Sequence, residues 1–318
     1  MKTVIKQSER QKAFTIVELL TVMSIIIILI GLLVPSLNMV KRYARRVKQK
    51  AQFHSIDVAM EIFNTEEEGY PDSAEKDDKN ESYCGAMKLC EAMMGQDLIG
   101  FHPDSYFRRD GTTGPIGTST KNLYDKNIGG WTDSEWTQNL KSRRGPYLQP
   151  ENANAYRMQD LYSDNPVPFE AKLFVMCDVY SHVRNRTTGK KNGMPILYYK
   201  ANTSRTKCPH WQDSTFIGDK DDTENIYNYK DNLELIDLGL PWDTTGLVHP
   251  MATSGTTSSG TAADPRLFYD NENQHDRVYN PKIDVQDGRP NCADSYILLS
   301  AGFDGEYGTP DDVFNFGD

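Results

Sequence analysis

Apolar positions are spread very unevenly along this chain. Residues 16–34, IVELLTVMSIIIILIGLLV, form a run of 19 with a single charge, Glu18. As a helix rising about 1.5 Å per residue, the run nearly crosses a hydrocarbon core of about 30 Å. Beyond Pro35 the pattern changes. Val40, Tyr43, Ala44, Val47, Ala51, Val58 and Ile62 recur at helical steps. This spacing predicts an amphipathic helix to about Asn64, with that stripe packed on a globular body. Pro35 lacks an N–H and is expected to kink the helix or melt it locally.

From Thr65 the chain turns polar and rich in loops. Within Gly85–Gly100, Met87, Cys90, Met94 and Leu98 stand at helical spacing and read as core. Residues 101–170 read as surface loops with short helices. Lys172–Val183 and Met194–Ala201 have the aromatic and β-branched content of strands. Gly189 and Asn192-Gly193 between them favour a reversal. Ala252–Ala263, ATSGTTSSGTAA, reads as a low-complexity loop or flexible tip. Ser295–Ala301 reads as a last strand. The expected fold class is α+β: a long N-terminal helix against a small antiparallel sheet, with long loop insertions.

Charge narrows the function. The chain has 318 residues, a formal net charge of -10 and a mean hydropathy of -0.63. An acidic balance argues against a nucleic-acid partner. Lys2, Lys6, Arg10 and Lys12 precede the apolar run against Glu9 alone, so that end should stay in the cytoplasm and the rest be exported. Lys41, Arg42, Arg45, Arg46, Lys48 and Lys50 crowd the other flank and oppose that count. They read as a solvated face, or as a surface for lipid headgroups or acidic neighbouring subunits. No small-x-small cleavage site follows the run, so an anchor is expected rather than a secretory signal.

The five cysteines, Cys84, Cys90, Cys177, Cys208 and Cys292, allow at most two disulfides, which would suit an exported body. Cys208-Pro209-His210 is too small a set to define a metal site. The six histidines are scattered, and HExxH, GxSxG and P-loop patterns are absent. An enzyme is not expected.

Glu18 needs an explanation, since a carboxylate inside a bilayer costs about 3 kcal/mol. Cleavage after Ala13 would give Phe14 a free α-amine, mostly cationic at neutral pH. That amine and Glu18 lie one helical turn apart, so they can pair within one chain or between packed neighbours.

The stretch KAFTIVELLTVMSIIIILIGLLVP resembles the signature of type IV prepilins, shared by type IV pilins and the pseudopilins of type II secretion. The pattern is a basic leader, a cut before Phe, Glu fifth in the mature chain and Pro at the twenty-second mature position. Glu18 and Pro35 fall in those places. Ala13 stands where the family usually has Gly. The resemblance implies a leader over 1–13 and a helix over 14–64, with a membrane part (14–35) and an exported part (36–64). An exported body over 65–318 follows. It implies a prepilin peptidase that cuts after Ala13 and methylates Phe14, and a homopolymer built with other subunits and an assembly platform. It also implies residence in the cytoplasmic membrane.

The tail carries Asp304, Glu306, Asp311 and Asp312 among Gly305, Gly308 and Pro310. Hard oxygen ligands on a sharply turning loop suit Ca²⁺, although the order is not that of an EF-hand. YILLSAGFDGEYGTPDD is similar to the calcium-binding C-terminal loop of major pseudopilins. EEEGYPDS and NGMPILYY resemble that family's Tyr-Pro segment and Asn-Pro-aromatic hairpin. The likeness implies Asp304, Asp311 and Asp312 as ligands, with the carbonyl of Ala301, in a loop over 301–318. A type II secretion pseudopilin is the favoured expectation. A type IV pilin for adhesion, motility or DNA uptake is the alternative. A membrane-anchored binding protein is the different-class alternative; Trp131, Trp136, Trp211 and Trp242 read first as aromatic core, and otherwise as contacts of an inserted domain that binds a surface glycan or a secretion substrate.

Overall fold

The computed structural model describes residues 15–115, 121–162, 166–185, 187–206, 208, 225–269, 277–278 and 289–317. Ala13, Phe14, His210 and Trp211 lie outside them. The chain divides into two compact units, Met1–Arg45 and Arg46–Asp318.

Helix α1 spans Ile16–Glu67 and runs unbroken through Pro35. It is long and apolar enough to cross a membrane, with a mean hydropathy of 2.8 in its best window. The expected local melting at Pro35 does not occur. Within the apolar run the hydroxyls of Thr21 and Ser24 donate to the carbonyls of Glu18 and Leu20, at 2.9 and 2.8 Å. Ser36 likewise donates to Leu32 at 3.0 Å. Side-chain donors in an apolar medium are thus satisfied by the helix itself.

The second unit is built on a three-stranded antiparallel sheet of β5 (Leu197–Lys200), β6 (Tyr296–Ser300) and β7 (Val313–Phe314), with β6 central. Leu197 pairs with Leu299, which also pairs with Phe314. Successive side chains alternate between two cores, as the period of a strand requires. Tyr198, Tyr296, Leu298 and Val313 pack with Phe53, Ile56, Met60 and Phe63 of α1, and with part of helix α2 (Gly85–Met94). Leu197, Tyr199, Ile297 and Leu299 face a second core that includes Tyr227, Leu235, Met251 and Phe268. The long insertions therefore cover the sheet face that α1 leaves open.

The expected stripe on α1 is corrected. Val47, Ala51, Val58 and Ile62 face solvent, and the buried face is Gln49, Gln52, Phe53, Ile56, Ala59, Met60 and Phe63. Both glutamines work in that interface. Gln52 donates to the carbonyls of Ala153 and Cys177 at 3.1 and 2.9 Å, and Gln49 accepts from Val179 N–H at 3.0 Å.

Helix α2 is buried along its whole length, which bears out Met87, Cys90 and Met94 as core, but it ends before Leu98. Helix α3 (Asp133–Ser142) starts at a capping box between Thr132 and Glu135. Of the remaining strands, β1 (Ala155–Arg157) pairs with β2 (Phe174–Met176), and β3 (Val183–Arg184) pairs with β4 (Lys191–Asn192). The reversal uses Gly189, at φ 69. Gly193 serves packing instead, since a Cβ there would lie 2.0 Å from Asp178 Oδ1. The expected wide hairpin shrinks to a bridge between Cys177 and Pro195, because proline brings no N–H to a ladder. No disulfide joins cysteines among the described residues; Cys84, Cys90 and Cys177 are buried thiols. The 252–263 segment folds into a tight turn held by Thr257 N–H to Thr261 O at 2.9 Å.

Candidate functional site

The first candidate is the head of α1. Thr15 N–H and Oγ1–H both donate to Glu18 Oε2, at 2.9 and 2.7 Å. Glu18 N–H donates back to Thr15 Oγ1 at 3.2 Å. This is a reciprocal capping box, which satisfies two amide donors at the first turn. It also places the acid where the helix macrodipole favours negative charge. Glu18 therefore has a local role that the charge-pairing argument passed over, although Thr-x-x-Glu was readable at 15–18. Pro35 lies inside the same helix.

The second candidate is the turn between β6 and β7. Ala301 is fully buried at its root. Gly302 follows with φ 65, and a Cβ there would stand 1.9 Å from the carbonyl oxygen of Asp311. Only glycine lets the two arms of the turn approach this closely. Asp304 N–H donates to Asp311 Oδ2 at 2.8 Å, and Glu306 N–H to Asp304 Oδ1 at 2.9 Å. Thr309 Oγ1 donates to Asp311 Oδ1 at 3.0 Å. The structure thus brings Asp304 and Asp311 together, with their carboxyl groups in hydrogen-bonding contact. Burial, then the neighbouring Asp311, push the Asp304 carboxyl up to about 7. Burial acts on Asp311 too, but hydrogen bonds from Asp304 and Thr309 outweigh it and hold Asp311 below the ordinary value. Two carboxyl groups this close need a proton or a cation between them.

Asp312 is engaged elsewhere. It is buried, accepts from Gly308 N–H at 2.8 Å and pairs with buried Arg277 at 3.0 Å. The same guanidinium donates to Thr309 O at 2.7 Å. Burial pushes the Asp312 carboxyl upward, and Arg277 opposes that shift. The Glu306 carboxylate accepts from Ser258 Oγ at 2.7 Å. Among the described residues no group of three or more His, Cys, Asp or Glu converges. The side-chain donors gathered at the pair that fit a hard cation are two carboxylates and a hydroxyl. Arg277 was invisible beforehand, because no spacing ties it to a loop 35 residues on.

Several other polar and aromatic residues have structural work. Asp178 accepts from Ser300 Oγ, Tyr180 N–H and Met194 N–H, at 2.8, 3.0 and 3.2 Å. His182 packs on Trp242 and Phe303. Trp131 donates to Asn122 O at 2.6 Å, and Arg143 lies over Trp136. Comparison with protein-family models, curated proteins and solved structures finds no match for this chain.

Proposed function

We propose that this chain is a prepilin-like structural subunit of a type II secretion pseudopilus, anchored in the cytoplasmic membrane and assembled into a helical filament. One observation carries the reading. A single helix begins at Ile16 with Glu18 in its first turn, exposes an apolar run long enough for a membrane, and supplies through Gln49–Phe63 one wall of a separate body's core. Such a chain presents its body outside the membrane while its apolar run remains free to bundle with copies of itself. Processing after Ala13 gives each copy a cationic Phe14 amine, and the Glu18 of a neighbour is its counter-charge. Because Glu18 also caps its own helix, the carboxylate is already oriented at the helix end where that amine arrives.

The β6–β7 turn favours a pseudopilin over the alternatives. Asp304 and Asp311, with the Thr309 hydroxyl and the Ala301 carbonyl, would hold Ca²⁺, and Asp312 would stay with Arg277. The ion would supply positive charge that lets both carboxylates remain ionised and so pins the turn.

The test uses two substitutions at one position. Glutamine can replace glutamate in a capping box, so Glu18→Gln keeps the helix start and removes the charge, whereas Glu18→Ala removes both. Both variants should be cleaved yet fail to enter filaments. Normal filaments from Glu18→Gln would show that the acid is only a cap.

A further inference from the structure

The segment that leaves α1 is fastened to β5 on both sides of Asp72. Lys200 Nζ donates to Tyr70 O at 2.7 Å, the Tyr198 hydroxyl to Pro71 O at 2.8 Å, and Lys200 N–H to Ser73 Oγ at 3.0 Å. Asp72 is thereby held in place, and Lys88 of α2 meets it there. Lys88 Nζ lies 2.5 Å from Asp72 Oδ2 and donates also to Lys76 O at 3.1 Å. The lysine side chain is 1% exposed, whereas that of the aspartate is 55% exposed.

A third group stands beside this pair. Asp231 is buried, accepts from Ser73 Oγ, and lies close enough to Asp72 and Lys88 for both charges to act on it. Burial, the largest influence, lifts its carboxyl to about 8, so it holds its proton at neutral pH. An ordinary surface ion pair joins two long, mobile side chains. Here the amine is immobilised in the interior, the carboxylate is fixed through its neighbours in the chain, and a neutral acid lies alongside.

We propose that Lys88 and Asp72 join covalently in the folded chain, through a side-chain amide between Nζ and Cγ. A nitrogen bonded through hydrogen to a carboxylate oxygen stands about 3–3.5 Å from the carboxyl carbon, the separation of a near-attack conformer. The ammonium first gives a proton to the Asp72 carboxylate. Nζ then attacks Cγ, the bond from Cγ to one oxygen breaks, and that oxygen leaves as water. Two of the three ammonium protons go with the water and the third stays on the amide nitrogen, so no other reagent is consumed. Asp231 takes up and returns a proton during the collapse and ends unchanged. Hydrolysis opposes the step, but groups held in this way reach effective molarities of about 10⁵–10⁸ M, which favours the amide. The exposed side of Asp72 gives the water a way out. The bond ties the segment that follows α1 to a helix buried along its whole length, so a pull along α1 meets a covalent link where hydrogen bonds alone would otherwise resist.

The experiment is tryptic digestion and mass spectrometry of the full chain purified from membranes. Trypsin does not cut after an acylated lysine. The parent chain should therefore give one branched species, 51–76 joined to 80–108, lighter by one water than the two peptides together. Lys88→Arg and Asp72→Ala should each lack it. Asp231→Asn keeps an acceptor for Ser73 but cannot relay a proton, so newly made chains of that variant should link about 10²-fold more slowly. Separate 51–76 and 80–88 peptides from the parent, with no branched species, would overturn the bond and leave an ion pair. Linkage in Asp231→Asn as fast as in the parent would overturn the part given to Asp231.

Discussion

The two ends of α1 are the same secondary structure solved for different surroundings. Over 16–34 the helix is apolar on every side and all of it is exposed, with its few hydroxyls turned back onto its own carbonyls. Over 46–67 it is apolar on two faces, polar between them, and buried on one. In the second stretch polar side chains reach outward to other elements, as Gln52 does to Ala153 and Cys177. The difference shows which interactions the body depends on: those of 46–67, but not those of 16–34.

The largest effect that would sharpen this contrast is a cavity in the used face. Phe63 is buried against Phe101 and Tyr147, with ring centroids 5.1 and 5.8 Å away. Phe63→Ala should destabilise the body by about 3–5 kcal/mol, measured by denaturant unfolding. Leu29→Ala, in the exposed run, should leave that unfolding curve unchanged. Equal losses from the two would break the comparison.

Gln52→Ala comes next. It strips two buried carbonyls of their donor, and should cost about 1–3 kcal/mol in the same measurement. Gln52→Leu should not rescue it, because the carbonyls would still lack a partner.

A further effect is expected with pH. Burial lifts the carboxyls of Asp178 and Asp231 to about 8 in the folded body. From about pH 4, where the unfolded carboxyls lose their protons, up to about 8, the folded state holds protons that the unfolded state has released. These two groups therefore make the body less stable as pH rises through that window. Asp178→Asn should flatten part of the decline. A decline of unchanged slope in that variant would remove Asp178 from the account.

The smallest effect concerns the β6–β7 turn. Calcium should raise the melting temperature of the body, and Asp304→Ala should abolish that response. Asp312→Asn should lower stability by disturbing the Arg277 pair while leaving a calcium response in place. A response lost equally in both would return Asp312 to the ligand set.

How far the sequence could be read depended on where the deciding contact lies. The apolar run, β5 and β6 were legible because their periods are local. The face of α1 was misread for a physical reason. Gln49 and Gln52 break the apolar pattern of the used face, and only the Val179 N–H and the Ala153 and Cys177 carbonyls they meet explain them. Strand β1 has just three residues and a partner 19 positions on, so no local pattern announces it. A sharp turn among the tail acids was legible from Gly305, Gly308 and Pro310, but that it brings Asp304 and Asp311 together depends on the close approach at Gly302. The pairing of Asp312 was not legible, because its partner Arg277 comes from a distant insertion. The capping role of Glu18 was written in Thr15 and was obscured by the larger question of an acid in a membrane.

The central claim is that the acid at the head of the apolar helix is matched by a newly made amine. The most direct measurement is mass spectrometry of the amino terminus of protein taken from cell membranes. The account predicts a chain that starts at Phe14 and carries a methyl group on its amine. A chain that retains residues 1–13 while forming filaments would contradict it.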